Sequence, residues 1–299
     1  MRGVFILKGT DDELSLPTQL GEVDPSLLTA NHIAYIQFFC EGVVRQFHPV
    51  LLAILFLSAA FAGCLSDSEE DGGITLIVEY EQTNGTVVQS FIDGELVSTT
   101  NVTLSFDFSK TTGERELITF GIDRLDGSTP TLVEADLETN ISIGFENHGI
   151  YHLSAFAIDE QNQIENISIV IRIEMRMDWV ETNTFEPKPM TINPIPANGG
   201  ISPTSITIDS TVENPELIEN VTSGREVEFT WSLVDGTEDA CQARSGLVHD
   251  GEFVNWETIH FNTFLVHEWR ISYASGQDYI NVNQSVLIEY DEIDSGKPQ

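Results

Sequence analysis

Ile167-Ser168-Ile169-Val170-Ile171-Arg172-Ile173-Glu174-Met175 decides the fold class of this 299-residue chain. Apolar side chains stand at 167, 169, 171, 173 and 175. In an extended backbone, successive side chains point to opposite faces. Period two over this length therefore marks a strand with one face in a core, and β-branched isoleucine suits that backbone. The same alternation occurs upstream in Ile74, Leu76, Val78 and Tyr80; in Val102, Leu104, Phe106 and Phe108; in Ile118, Phe120 and Ile122; and in Tyr151, Leu153, Ala155 and Ala157. Asn84-Gly85, Asp93-Gly94, Asp126-Gly127-Ser128 and Asn147-His148-Gly149 supply turn chemistry between the runs. Short strands at spacings near ten residues predict an antiparallel sandwich over residues 74–176.

Downstream the periodicity lapses over residues 177–200, where Pro187, Pro189, Pro194, Pro196 and Asn198-Gly199-Gly200 read as a stiff linker. Strands resume in Val227, Phe229, Trp231 and Leu233; in Leu265, His267, Trp269, Ile271 and Tyr273; and in Val282, Val286, Ile288 and Tyr290. Residues 205–209 and 256–261 are further candidates. A second sandwich is expected over residues 201–290, with buried tryptophans anchoring its core and a frayed tail over 291–299. The expected fold class is all-β, with two antiparallel sandwich domains.

Phe106-Asp107-Phe108-Ser109 is followed by Phe120-Gly121-Ile122-Asp123-Arg124-Leu125-Asp126-Gly127-Ser128. Later come Phe145-Glu146-Asn147-His148-Gly149-Ile150-Tyr151 with Leu153, Ala155, Ala157 and Asp159. These segments resemble the PKD (polycystic kidney disease) repeat over roughly residues 100–175. The chain departs from that pattern at Gly121, where the family carries Trp, and at Arg124-Leu125, where it carries Phe-Gly. The resemblance implies an Ig-like sandwich serving as a spacer or interaction module.

The apolar run Val50 to Ala62 is preceded by Arg45 and His48 and ends in Gly63-Cys64. A weakly basic flank, an apolar core and a small-residue exit follow one another in signal-peptide order, and the core is too short for a spanning helix. Ala62-Gly63-Cys64 resembles the lipobox of prokaryotic lipoproteins. That resemblance implies a signal peptide over 43–63, lipid on Cys64, an acidic tether over 64–73, and a cell-surface location on the outer face of the cytoplasmic membrane. Residues 1–42 are then either a spurious extension, with the true start near Val43 or Val44, or the cytoplasmic tail of an uncleaved signal anchor.

Lys and Arg number 13 against 48 Asp and Glu, for a net charge of -35. Such a charge excludes nucleic acid or anionic lipid as a partner of the folded face. Six Asn-x-Ser/Thr triplets begin at Asn84, Asn101, Asn140, Asn166, Asn220 and Asn283, all beyond Cys64. They predict N-glycosylation and a second vote for the outside; together with a lipobox they fit an archaeal surface.

Chemistry is harder to find. With Cys64 lipidated, Cys241 has no disulfide partner and reads as a small buried hydrophobe. His260 and His267 lie near Glu257 and Glu268, but strand parity puts Glu268 on the face opposite His267. Both histidines are therefore expected at the core or rim, and no metal site is predicted. His148 and His152 flank a turn without a helix to join them. There is no Gly-rich phosphate loop, no His-Glu-x-x-His and no Gly-x-Ser-x-Gly, so no catalytic or cofactor residues are expected. The softer candidate is Ca²⁺ on Asp107, Asp123, Asp126 and Asp159.

The expected function is that of a non-enzymatic surface lipoprotein for adhesion, ligand contact or envelope organisation, meeting the membrane through Cys64 and a surface protein or glycan through its modules. One alternative is a carbohydrate- or protein-binding accessory of an extracellular hydrolase or transport system, whose sign is exposed aromatics on a sheet face of the second domain. A second alternative is an enzyme, which needs carboxylates or histidines converging at the domain junction.

Overall fold

The computed structural model describes residues 73–216 and 225–296. The signal-like run, Cys64 and Asn220 lie outside the described residues. The strands run, in order, β1 (Ile74–Thr75), β2 (Asn84–Ile92), β3 (Glu95–Thr100), β4 (Val102–Asp107), β5 (Thr112–Gly113), β6 (Leu117–Asp123), β7 (Thr131–Glu134), β8 (Asn140–Phe145), β9 (Gly149–Asp159) and β10 (Ile164–Thr184). There follow β11 (Met190–Ile192), β12 (Ser205–Glu213), β13 (Val227–Asp235), β14 (Ala240–Val248), β15 (Phe253–His260), β16 (His267–Tyr273) and β17 (Ile280–Glu289). The fold is all-β among the described residues.

The alternating run from Ile167 to Met175 is the middle of β10, a strand of 21 residues. Its first half pairs antiparallel with β9, from Ile164 opposite Ile158 to Ile173 opposite Gly149. Its second half pairs antiparallel with β17, from Met175 opposite Ile288 to Thr184 opposite Ile280. Along Arg172 to Val180 it also pairs with β2, in parallel. A nine-stranded sheet results, in the order β15-β12-β17-β10-β9-β6-β7, with β2 and β3 attached along β10. The two-stranded β4-β8 sheet and the four-stranded β11-β16-β13-β14 sheet complete the core.

Aromatic side chains bridge the layers. Phe108 stacks on Phe120 at 5.0 Å between ring centroids. In the other half Trp231 of β13 donates its Nε1 hydrogen to Ser210 Oγ of β12 at 2.9 Å, with both groups buried. Trp256 of β15 lies 5.2 Å from Trp269 of β16. Burying these rings is the largest favourable contribution each layer makes, and the indole that is buried with a hydroxyl partner avoids an unmet donor. Gly121, where the PKD pattern has Trp, is explained by β9: a Cβ there would overlap the Phe156 ring.

Two expectations need correction. The linker expected over 177–200 is strand through Thr184. Met177, Trp179 and Glu181 continue the buried alternation, and the Glu181 carboxylate accepts Trp179 Nε1–H at 2.8 Å and the Lys188 amide at 3.0 Å. Those bonds let an acid occupy a core position that reads as polar in sequence. The prolines begin only after that strand, and β11 among them joins β16. Because β2 and β3 attach to the second half of β10, the halves interlock, and the described residues form one compact unit.

The tail expected to fray over 291–299 is tied down as far as Gly296. The Asp294 carboxylate accepts hydrogen bonds from Arg172 Nε at 3.0 Å, Thr83 Oγ1 at 2.8 Å and Asn84 Nδ2 at 3.1 Å. The Ser295 amide donates to Val170 O at 3.0 Å. Burial opposes ionisation of Asp294, but the hydrogen bonds outweigh it and hold the carboxyl below its ordinary range.

Candidate functional site

The four carboxylates considered for Ca²⁺ do not converge. Asp159 pairs with Leu117 at one end of β6 and Asp123 pairs with Ser154 at the other. Six residue steps separate those ends, about 20 Å at roughly 3.3 Å per step. Each carboxylate is also occupied locally. Asp159 is buried and its Oδ1 accepts the Gln161 and Gln163 amides, both at 2.9 Å, with Arg115 3.6 Å from its other oxygen. Asp107 accepts from Ser109, Asp123 from Leu125 and Asp126 from Ser128. They close turns, as Asp does throughout short β connections.

The described sequon residues Asn84, Asn101, Asn140, Asn166 and Asn283 are all exposed. Asn101 and Thr103 of one sequon also line an open groove of about 790 Å³, with Arg124, Asp126, Glu146 and Tyr151. Arg124 donates from Nη2 to Gly144 O at 2.8 Å and lies 5.6 Å from the Phe145 ring centroid. That anchorage holds a guanidinium with spare donors against amides, hydroxyls and carboxylates.

Where the two halves meet, His148 is buried and both its ring nitrogens are engaged. Nδ1 lies 2.7 Å from Tyr290 Oη, and Nε2 lies 3.2 Å from Asn193 O. A carbonyl only accepts, so Nε2 carries the proton and Nδ1 accepts from the tyrosine. Burial pushes the histidine below its ordinary pKa and Tyr290 well above its own. This pair fastens the junction. The outer face of β13 and β16 presents Glu228, Thr230, Ser232, Glu268, Arg270 and Ser272, while Trp231 and Trp269 point inward. The exposed phenylalanines Phe253, Phe261 and Phe264 stand at strand ends and in the β15–β16 loop.

A different constellation stands out beside that loop. Cys241 of β14, His260 closing β15 and His267 opening β16 bring one ligand atom each within 4.8 Å of one another. The histidine rings meet edge to face, 4.7 Å between centroids. His267 is 1% exposed, and its Nε2 lies 2.8 Å from Asn262 O. Its Nδ1 is buried without a partner, as is Nε2 of His260. Cys241 is exposed rather than buried as expected. β14 is an edge strand exposed along most of its length, and Cys241 stands at a bulge in it: Leu233 pairs with Gln242 and Val234 with Ala240, so Cys241 is the extra residue. Burial and the nearby Asp235 and Asp239 carboxylates raise its thiol pKa. Parity placed His267 inward correctly. The exposure of the thiol is not legible in sequence because β14 carries no alternating pattern.

No family model matches the chain and no curated protein matches it. Among solved structures, a carbohydrate-binding module of the β-sandwich superfamily aligns over 73% of this chain and 97% of its own, at 10% identity and a TM-score of 0.27. Tripeptidyl peptidase 2 aligns over 72% of this chain and 20% of its own, at 9% identity and a TM-score of 0.24. The SGBP-B protein of the Bacteroides ovatus mixed-linkage glucan utilization locus, in complex with a mixed-linkage heptasaccharide, aligns over 69% and 52%, at 10% identity and a TM-score of 0.21. Scores this low assign neither a fold family nor a ligand to this chain.

Proposed function

We propose that this chain is a non-enzymatic exterior scaffold, tethered to the membrane by a lipid on Cys64 and holding recognition surfaces away from it. The continuous strand β10 carries the reading. The chain enters the described part where Ile74 pairs with Gly113, a few residues before β6 begins at Leu117 opposite Asp159. There β9 turns into the start of β10. The far end of β10 lies elsewhere: Thr184 O accepts a hydrogen bond from Tyr273 Oη at 3.3 Å. Twenty steps of about 3.3 Å hold these ends on the order of 65 Å apart. A strand shared by both halves, with core on both sides of the junction, makes the unit stiff. The net charge of -35 keeps it soluble and apart from its copies. Intact mass of protein extracted from membranes tests the tether. A mass beginning at a lipidated Cys64 supports the reading, and a retained leader overturns it.

A second reading, a glycan-binding accessory, is favoured by the groove at Arg124. Sugar hydroxyls both donate and accept, which suits its amides, carboxylates and guanidinium. Because Asn101 belongs to both groove and sequon, a glycan attached there fills the groove from within. Titration of Asn101-unmodified protein with oligosaccharides separates the two: binding lost in Arg124→Ala supports the accessory reading, and no binding at millimolar sugar removes it.

A further inference from the structure

We infer that Cys241, His260 and His267 form a binding site for a borderline-to-soft transition metal ion, of which Zn²⁺ is the type, built where two sheet edges meet. β14 is the edge strand of the four-stranded sheet and β15 the edge strand of the nine-stranded one. The strands are also laced by polar contacts next to the site, with Gln242 Nε2 donating to Ile259 O at 2.9 Å and Thr258 Oγ1 to Gln242 Oε1 at 2.7 Å. The three ligand residues therefore sit on a framework that is already closed around them.

The ring nitrogens supply the independent observation. His267 Nε2 faces the Asn262 carbonyl at 2.8 Å, and a carbonyl cannot donate. The proton is thus on Nε2, and Nδ1 presents a bare lone pair inside the protein with no donor to meet it. Leaving such a group unmet is costly, and native proteins seldom do so without a ligand or a use. A histidine whose second nitrogen donates to a backbone carbonyl is the arrangement by which metal ligands are oriented and made more basic. His260 Nε2 is also buried and unpartnered, and a ring nitrogen of each histidine lies within 4.8 Å of the other and of the thiol.

The bulge adds the sulfur. In regular pairing, side chains along β14 alternate strictly; an extra residue re-aims one of them, and here it is Cys241. One thiolate with two imidazoles suits Zn²⁺ and copper, while Ca²⁺ and Mg²⁺ demand oxygen. Zn–N near 2.0 Å and Zn–S near 2.3 Å put ligand atoms roughly 3.5 Å apart in a tetrahedron. The present spread of up to 4.8 Å closes by about 1 Å, within reach of the exposed Cys241 side chain. The carboxylates of Asp235 and Asp239, which oppose a bare thiolate, attract the cation that would stabilise one. Three protein ligands leave a fourth position for water. Bound metal would pin the seam between the sheets and fix the loop from Phe261 to Val266, whose Phe261 and Phe264 are exposed.

The test uses the membrane-extracted protein, stripped by chelator and kept reduced. Co²⁺ serves as the optical stand-in for Zn²⁺. One equivalent should bind with a thiolate-to-cobalt charge-transfer band, and Zn²⁺ should displace it. Zn²⁺ at a hundredfold over its Kd should raise the melting temperature by about 5–10 °C. Cys241→Ser should abolish the band, and His260→Asn should weaken binding on the order of 100-fold. His267 is buried and its removal endangers folding, so the two more accessible positions carry the test, each checked for an unchanged metal-free melt. Absence of the band, an undiminished band in Cys241→Ser, or an equal melting shift from Ca²⁺ overturns the assignment.

Discussion

Replacing Leu153 with Ala probes whether the two halves fold as one. Leu153 lies on β9, is fully buried, and pairs with Ile169 in the first half of β10. Truncating such a side chain removes transfer energy and leaves a cavity, a loss of about 2–5 kcal/mol. For a unit of this size each kcal/mol lowers the melting temperature by roughly 2–4 °C, so a fall of about 6–12 °C is expected for a mid-range loss of about 3 kcal/mol. All four tryptophans of the chain, Trp179, Trp231, Trp256 and Trp269, belong to the other half. Their fluorescence therefore reports unfolding far from the substitution. If β10 couples the halves, tryptophan emission and far-ultraviolet dichroism shift together in one transition. A dichroism curve that splits in two, with the tryptophan transition unmoved, refutes the coupling.

Asp294→Ala should cost about 1–3 kcal/mol, since it removes the acceptor shared by Arg172 Nε, Thr83 and Asn84 and frees the tail from its anchor, although Arg172 keeps Glu174; proteolysis should then clip the chain after Tyr290, and both effects are read by denaturant titration and mass spectrometry. Burial lowers the His148 pKa in the folded state, so the unfolded state takes up the proton first as pH falls. Stability from His148 is therefore complete above about pH 6.5 and declines as pH drops towards the depressed folded value. His148→Gln should flatten that decline in melting temperature between pH 7 and 5, partly, because His260 is depressed in the same direction by burial and by His267. Arg124→Ala should remove any oligosaccharide binding in the groove while leaving the melting temperature within about a degree, because the guanidinium is an exposed hydrogen-bond donor; calorimetric titration checks it.

Much of the fold was legible because one-sided strands announce themselves. Val102 to Phe106 alternates buried and exposed as its sequence alternates apolar and polar, and His267, Trp269 and Ile271 share the inner face that parity assigns them. Strands that depart from this pattern stayed hidden. β2 is half-buried along most of its length, and β14 is largely exposed and rich in small residues, so neither shows period two. Glu181 disguised the end of β10 because its burial depends on two hydrogen bonds that no local pattern reveals. The calcium reading failed for a related reason: proximity to a strand end does not say which end. Cys241 and the two histidines meet through a bulge and a seam between sheets, both products of long-range register.

The most direct test of the scaffold reading is the distance between its ends. Spin labels at Thr112→Cys and Ser275→Cys in a Cys241→Ser background, both exposed positions, sit beside the first and last turns that flank β10. Pulsed dipolar spectroscopy should give a single narrow distribution on the order of 60 Å, the span of β10. A broad distribution, or two populations with a much shorter component, would show two modules swinging on a hinge and contradict the account.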